Sequence, residues 1–219
     1  MEHDKMYQKG IETKDKIVAA AKKIFYEKGY KNSTIKMITE EANVSLSAVP
    51  YYFRKKDEIV KDIYNEYLEK IYILLQENIP EKTDSYLMHF CASKIYYHII
   101  LDDEKNRRFY YEIGVAEPNY QLTSPFIDNV YDNYAKDFNI HLTDLQRQLM
   151  RISDGGARRE VFYRYFNDML DISVDDLIDY ITSLAGTLIG IHLSVAEKYS
   201  KKSTEFVKSL DYSHIKLLG

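Results

Sequence analysis

Residues Thr34 to Ile59 read TIKMITEEANVSLSAVPYYFRKKDEI. Asn32, Ser33 and Thr34 supply the side-chain oxygens that start a helix, and Ile35, Ile38 and Ala42 give that helix one apolar side. Asn43 follows, a residue that tolerates the left-handed backbone of a tight turn. A second short helix is expected from about Leu46 to Tyr52, with Val44, Val49 and Phe53 as inward anchors. Upstream, Ile17, Ala20, Ala21, Ile24 and Phe25 recur at the spacing of one helical face, and Gly29 ends that longer helix. Two short helices joined by a turn of a few residues, resting on a longer one, describe a helix-turn-helix.

The rest of the chain reads as further helices. Of 219 residues, 45% are hydrophobic and 29% charged, a balance that excludes a disordered or collagenous chain. Eight Gly and four Pro are too few to punctuate a many-turned β-sandwich. Helices are expected over 57–78, 84–101, 104–115, 123–138, 143–169 and 174–200, broken near Pro80, Pro118, Ser173 and Lys201. Gly155 and Gly156 suggest a bend or interruption within 143–169. The lone cysteine, Cys91, rules out an internal disulfide and fits a reducing cytosol. The first residues are charged and lack an apolar h-region, so export is not expected. Tyr180 to Ala196 is uncharged but studded with Thr, Ser and His, and reads as a buried helix rather than a bilayer span. Net charge is −4 overall, yet residues 1–61 hold 13 Lys/Arg against 9 Asp/Glu and the remainder 17 against 25. A basic amino-terminal module on an acidic body suits a chain of which one end approaches phosphate.

The order of residues in the quoted stretch resembles the DNA-binding signature of TetR/AcrR-type bacterial transcriptional regulators. The resemblance rests on Thr34, Ile38, Ala42, Asn43, Val44, Ser45, Tyr51, Tyr52, Phe53, Lys56, Asp57, Glu58 and Ile59, and covers about the first quarter of the chain. Two positions depart from the pattern: Asn43 stands where the turn usually has Gly, and Pro50 where the recognition helix commonly has Tyr. Proline inside a helix costs about 3 kcal/mol, but in the first turn its missing N–H is not needed. A short, late-starting or kinked recognition helix, capped by Ser47 instead of Ser45, is therefore expected. The resemblance implies an all-α fold with two parts. Residues 1–56 would form a three-helix helix-turn-helix DNA-binding domain, and 57–219 a helical effector-binding and dimerisation bundle.

Lys36 near the start of the second helix opposes the helix dipole unless an anion comes close, so it is expected on phosphate. Thr34 and Ser45 offer hydroxyls to the same backbone, and Lys56 matches the family's phosphate-contacting lysine. Leu46, Ser47, Ala48, Pro50 and Tyr51 lie on the exposed side of the recognition helix, with Tyr52 placed on phosphate or sugar. None can grip a purine through two hydrogen bonds, so thymine methyls, single hydroxyl contacts and DNA shape would carry specificity.

In the body, 21 Tyr and 9 Phe stand without a single Trp. The resemblance places an effector cavity on the middle helices, where Phe90, Cys91, Tyr97, His98, Phe109, Tyr110, Ile113, Tyr131, Tyr134, Phe162 and Phe166 are its candidate walls. Phenol walls suit flat, partly polar or cationic compounds. Arg147, Arg151, Arg158, Arg159 and Arg164 surround the glycine pair, as anchors for an anionic ligand or, more simply, as partners of carboxylates. Ser183, Gly186, Gly190 and Ser194 form a small-residue stripe that would admit a twin helix in the homodimer the family implies. His89 and Cys91, two apart on a helix, point in different directions and do not make a metal pair. Neither a glycine-rich phosphate loop nor a His-Glu-x-x-His or serine-elbow motif is present, so no enzymatic activity, metal or cofactor is expected. The expectation is a cytoplasmic homodimer that binds a double-stranded operator, most simply as a repressor released by a small molecule, with no membrane partner. The rival reading replaces the small molecule with a protein partner acting on the body.

Overall fold

The computed structural model describes the backbone of residues 2–115 and 124–219, and the side chains of residues 8–115 and 129–219. Helix α1, Glu2–Lys28, buries Ile17, Ala20, Ala21, Ile24 and Phe25 as one stripe. Gly29 stops it at φ +81°, a conformation that costs glycine nothing. Thr34 caps α2, Ile35–Glu41, by accepting from the Met37 N–H at 3.2 Å. Asn43 then turns the chain at φ +51°, as its type allows. Helix α3 is only Ala48–Tyr52, with Ser47 at its N-cap. Pro50 is thus the third helical residue, among the N–H positions that have no acceptor within a helix. The recognition helix is short and starts late, as the proline requires.

Helix α4, Lys56–Asn78, places Asp57 and Glu58 in its first turn, where they complement the dipole. Its buried residues Ile59, Ile63, Tyr67, Ile71 and Leu75 recur every four and face the core. Helix α5, Ser85–Leu101, is the surrounded element of the body, packed against α4 and four later helices and buried along most of its length. Even its Lys94 is inside, paired with Asp179 at 2.6 Å. Helix α6, Glu104–Tyr110, continues into one π-helical turn, Tyr111–Val115. Helix α7 spans Ser124–Asp137, α8 Asp144–Phe166, α9 Val174–Leu188 and α10 Leu193–Lys208. The break expected near Pro118 lies outside the described residues. Among the described residues the chain is all-α, and no helix is long and apolar enough to cross a membrane.

Two expectations about the body are corrected. Gly155 and Gly156 do not interrupt α8, which is held by a Thr143–Gln146 capping box at its start and by Asp154–Arg158 and Glu160–Arg164 pairs along it. The expected helix over 174–200 is two helices. Ile189 and Ile191 are both buried although two apart, which one helical face cannot achieve, and Gly190 between them sits at φ +92°. His192 then caps α10.

The small-residue stripe is therefore not a stripe. Ser183 and Gly186 lie on α9, Gly190 in the break and Ser194 on α10. Gly186 faces inward, and a Cβ there would come within 2.8 Å of Tyr86 Cε2 and nearer still to Cζ. Tyr86 is itself fully buried, with Phe90 and Tyr134 rings at 5.1 and 4.9 Å, so it has little room to retreat. Gly186 serves close packing within one chain. We predict that Gly186→Ala lowers unfolding free energy by about 1–3 kcal/mol in urea titrations; an unchanged midpoint would show that Tyr86 yields freely.

Candidate functional site

The amino-terminal head presents a pinned helix with a bare outer side. Val49 and Phe53 are buried in the main core, and the Lys14 ammonium lies 5.5 Å from the Phe53 ring centre, fastening α3 to α1. On the outer side Leu46 is 60% and Tyr51 82% exposed, with Ser45, Ser47 and Pro50 also open to solvent. Ala48 and Tyr52 are half-buried, and the Tyr51 and Tyr52 rings meet edge to face at 4.9 Å. Thr34 is exposed at the start of α2, and Lys36 projects from the same end, 76% exposed and only 3.9 Å from Glu40. Thr34, Lys36, Ser45, Leu46, Ser47, Pro50 and Tyr51 are thus accessible from outside, with amide groups at the helix starts beside them.

Lys56 does something else. Its Nζ donates to the carbonyls of Tyr30 and Ser33 at 2.6 and 2.8 Å and lies 3.9 Å from the Tyr30 ring centre. Burial lowers its pKa, and the nearby charges of Asp57 and Glu112 oppose that shift. The lysine read as a phosphate ligand is a strut that ties the start of α4 to the loop before α2.

The aromatic residues of the body divide into groups. Tyr97, Tyr110, Phe162 and Phe166 form one ring cluster, with Phe162 centred 5.3 Å from Tyr97 and 5.1 Å from Tyr110. Phe90, Tyr131 and Tyr134 belong to a second, separate core. Three of the candidate walls are corrected. Phe109 points at the head and stacks on Phe25 at 5.3 Å, so it is a wedge between α1 and the body. His98 lies at the surface between Asp102 and Asp175, at 3.1 and 3.2 Å. Cys91 is buried in the main core, where burial pushes its thiol up to about 12. Ile113 is buried in the π-helical turn.

One of the five arginines follows the plain reading, paired with a carboxylate, but does so inside the body. Arg158 donates from Nε and Nη2 to Asp154 at 3.2 and 3.0 Å, and from Nη1 to the Tyr97 hydroxyl at 3.2 Å. Burial works against the guanidinium charge, but Asp154 more than offsets it and holds the pKa well above the ordinary value. Nearby, His89 Nδ1 and the Tyr134 hydroxyl share a short hydrogen bond. Burial, with a contribution from Arg158, drops the His89 pKa to about 3. The acid four residues ahead of the base was a legible pairing signal; its burial was not. Arg147 and Arg164 also pair with carboxylates, Asp132 and Glu160, whereas Arg159 donates to the Val115 carbonyl at 3.0 Å.

Residues 17–63 match the family model described as "Bacterial regulatory proteins, tetR family". The HTH-type nicotine-responsive transcriptional repressor HdnoR of Paenarthrobacter nicotinovorans is 21% identical over 189 residues, which cover 83% of this chain and 97% of that protein. The probable HTH-type transcriptional regulator YttP of Bacillus subtilis (strain 168) is 30% identical over 59 residues, 27% of this chain and 28% of that one. The crystal structure of RolR in complex with resorcinol superposes with a TM-score of 0.63 at 16% identity, covering 90% of this chain and 96% of that one. The likeness to RolR is one of fold.

Two predictions test these placements. Lys36→Ala should reduce the salt slope of duplex binding by about one, whereas Lys56→Ala should leave the slope alone and lower the thermal midpoint, since two carbonyls lose their donor. An effect of Lys56→Ala on the slope would return that residue to the interface. The second concerns acid. Above pH 6.5 the His89 ring is neutral in folded and unfolded chains alike; between 6.5 and about 3 only the unfolded chain takes up the proton, so stability falls with pH. The folding constant should fall by up to about tenfold per pH unit in this window. His89→Gln should show a distinctly shallower loss between pH 7 and pH 5 in urea titrations, and parallel curves would refute the shift.

Proposed function

We propose, from the match of residues 17–63 to the tetR family of bacterial regulatory proteins, that this chain is a member of that family and works as a cytoplasmic homodimeric repressor that leaves its operator when a small molecule occupies the body. It is a DNA-binding regulator and not an enzyme. In this reading residues 1–56 are the duplex-reading head and 57–219 the effector-binding, dimerising body. The observation that carries it is α3, whose inner residues are locked in the core while Leu46, Ser47, Pro50 and Tyr51 stand open. A face so apolar and so exposed costs solubility unless something covers it, and a major groove with thymine methyls is a suitable cover.

One five-residue helix makes few contacts, so a second copy is needed. The surface for it is a seam the sequence reading missed. On α8, Leu145, Leu149, Ile152, Gly156 and Tyr163 fall on one side at three-, four- and seven-residue intervals, and Ile152 is 70% exposed. Tyr180, Ser183 and Thr187 line the outer side of the adjoining α9. Two copies placing these seams together would form a four-helix contact and bury the exposed side chains.

The body reaches the head through α6. Arg108 Nη2 donates to the Tyr26 carbonyl at 2.9 Å, Glu112 accepts from the Lys31 N–H at 3.0 Å, and Phe109 stacks between them on Phe25. On its other side α6 carries Tyr110 against Phe162. An effector that displaces α6 would tilt α1 and with it α3, and it releases DNA only by binding the tilted arrangement more tightly. HdnoR is named for its response to nicotine and RolR is seen with resorcinol, which supports an effector for the present chain without naming it.

The test is Ile152→Glu, a substitution at an exposed site that leaves the chain fold intact. Sedimentation should shift from dimer to monomer with circular dichroism unchanged, and duplex affinity should fall about a hundredfold as the second half-site is lost. A variant that stays dimeric removes the seam from the interface. A monomeric wild type would leave the seam for another protein.

A further inference from the structure

Residues 209–219, after α10, run back to α1. Ser209 ends α10, Asp211 accepts from the Ser213 N–H at 3.0 Å, and the Ile215 N–H donates to the Tyr212 carbonyl at 3.0 Å, which turns the chain. Beyond the turn Ile215 and Leu217 are buried with exposed Lys216 between them, the alternation of an extended segment, and Leu218 is buried as well. All three belong to the core that holds Phe25 and Phe109. Gly219 then meets α1, where a Cβ on it would stand only 3.2 Å from Tyr26 Cζ. Ordering such a segment costs conformational entropy, and the three buried apolar side chains offset that cost.

Tyr26 is held by the body in four ways. Its hydroxyl donates to Asp103, the N-cap of α6, at 2.9 Å, and the Lys105 ammonium lies 4.4 Å from its ring centre. Its carbonyl accepts from Arg108 Nη2 at 2.9 Å, and Gly219 sits at the hydroxyl end of the ring. Tyr26 is near the end of α1, whereas α3 rests on the other half of that helix: Lys14 faces the Phe53 ring, and a Cβ on Gly10 would lie 3.8 Å from the Tyr52 hydroxyl. At 1.5 Å of rise per residue the two contacts are about 20 Å apart along α1. A tilt of about 10° at Tyr26 would therefore carry α3 by about 3.4 Å, the rise of one base pair. We propose that residues 209–219 are a strap that closes, with α6, a socket around Tyr26 and so fixes the tilt of the head, which sets the half-site spacing that two joined copies accept. Tyr26, Lys105 and Gly219 are then positioning residues that need not touch the duplex. This rests on the two-headed reading above and adds what holds the heads at one separation.

The full-length protein first selects its duplex from a random library. That duplex is resynthesised with one or two base pairs added or removed between its half-sites, and as a single half-site. The wild type should lose at least about tenfold in affinity on each change of spacing, because a rigid pair cannot engage both half-sites at once. Tyr26→Ala empties the socket and Leu217→Ala loosens the strap. Both should bind the selected duplex about tenfold more weakly, lose less than about threefold further on any change of spacing, and bind the single half-site as the wild type does. If Leu217→Ala does not fold, Gly219→Leu, which adds bulk against the Tyr26 ring, takes its place. Spacing selectivity equal to that of the wild type overturns the proposal even where the thermal midpoint falls, since a purely structural loss moves the midpoint and leaves the spacing alone. Weakened binding to the single half-site also overturns it, by placing the defect in α3. A wild type that selects no two-fold duplex overturns the two-headed reading and the strap's role with it; one that does, with variants equally selective, overturns the strap alone.

Discussion

The burial of Val49 and Phe53 is the constraint on which the head depends. A helix of five residues has almost no stability of its own, since nucleation costs more than so few bonds return. Here α3 exists because its two inner residues are held in a core with Ile17, Ile38 and Ile59, and because Asn43 turns the chain at the one place that lets them reach it. The outer residues are ordered as a by-product. Leu46 and Tyr51 stand in solvent at a fixed separation before any partner arrives, so contact with a duplex does not first have to order them.

The same fastening links the head to the rest of the molecule. Lys56 binds the loop carbonyls of Tyr30 and Ser33, Glu112 takes the Lys31 N–H, and Tyr30 bonds Asp57. The loop between α1 and α2 is therefore gripped from α4 and from the π-helical turn after α6. That turn is in turn gripped from α8, where Arg159 donates to the Val115 carbonyl one residue away from the Arg158 ion pair. In the proposed mechanism these contacts form a continuous mechanical chain between the buried polar group and the base of the reading helix.

The features decided by neighbours in sequence were legible. Thr34 as a cap, Gly29 and Asn43 as left-handed residues, and the late start that Pro50 imposes on α3 follow from the chemistry of each residue alone. Features decided by distant neighbours were not. The glycine pair of α8 signals a weak helix, yet capping and ion pairs keep it whole. Tyr180 to Ala196 shows unbroken apolarity, and the break at Gly190 comes from the need to bury both Ile189 and Ile191. Lys56 has the spacing of a phosphate ligand, and only the fold reveals two carbonyls within its reach. Phe109 and His98 share helices with other candidate cavity residues, but one turns to the head and the other to the surface. The seam of α8 is readable as a spacing, but apolar residues at that spacing equally describe a core-facing side, and only the fold leaves Leu145, Leu149 and Ile152 exposed.

The central claim is that two copies of the pinned α3 read a duplex together, and selection from a random duplex library tests it most directly. The account predicts enrichment of a two-fold symmetric sequence whose half-sites lie about one helical turn apart or a multiple of it, with preference concentrated at positions facing Leu46 and Tyr51. Recovery of a single asymmetric site, or no enrichment over the starting pool, would contradict it.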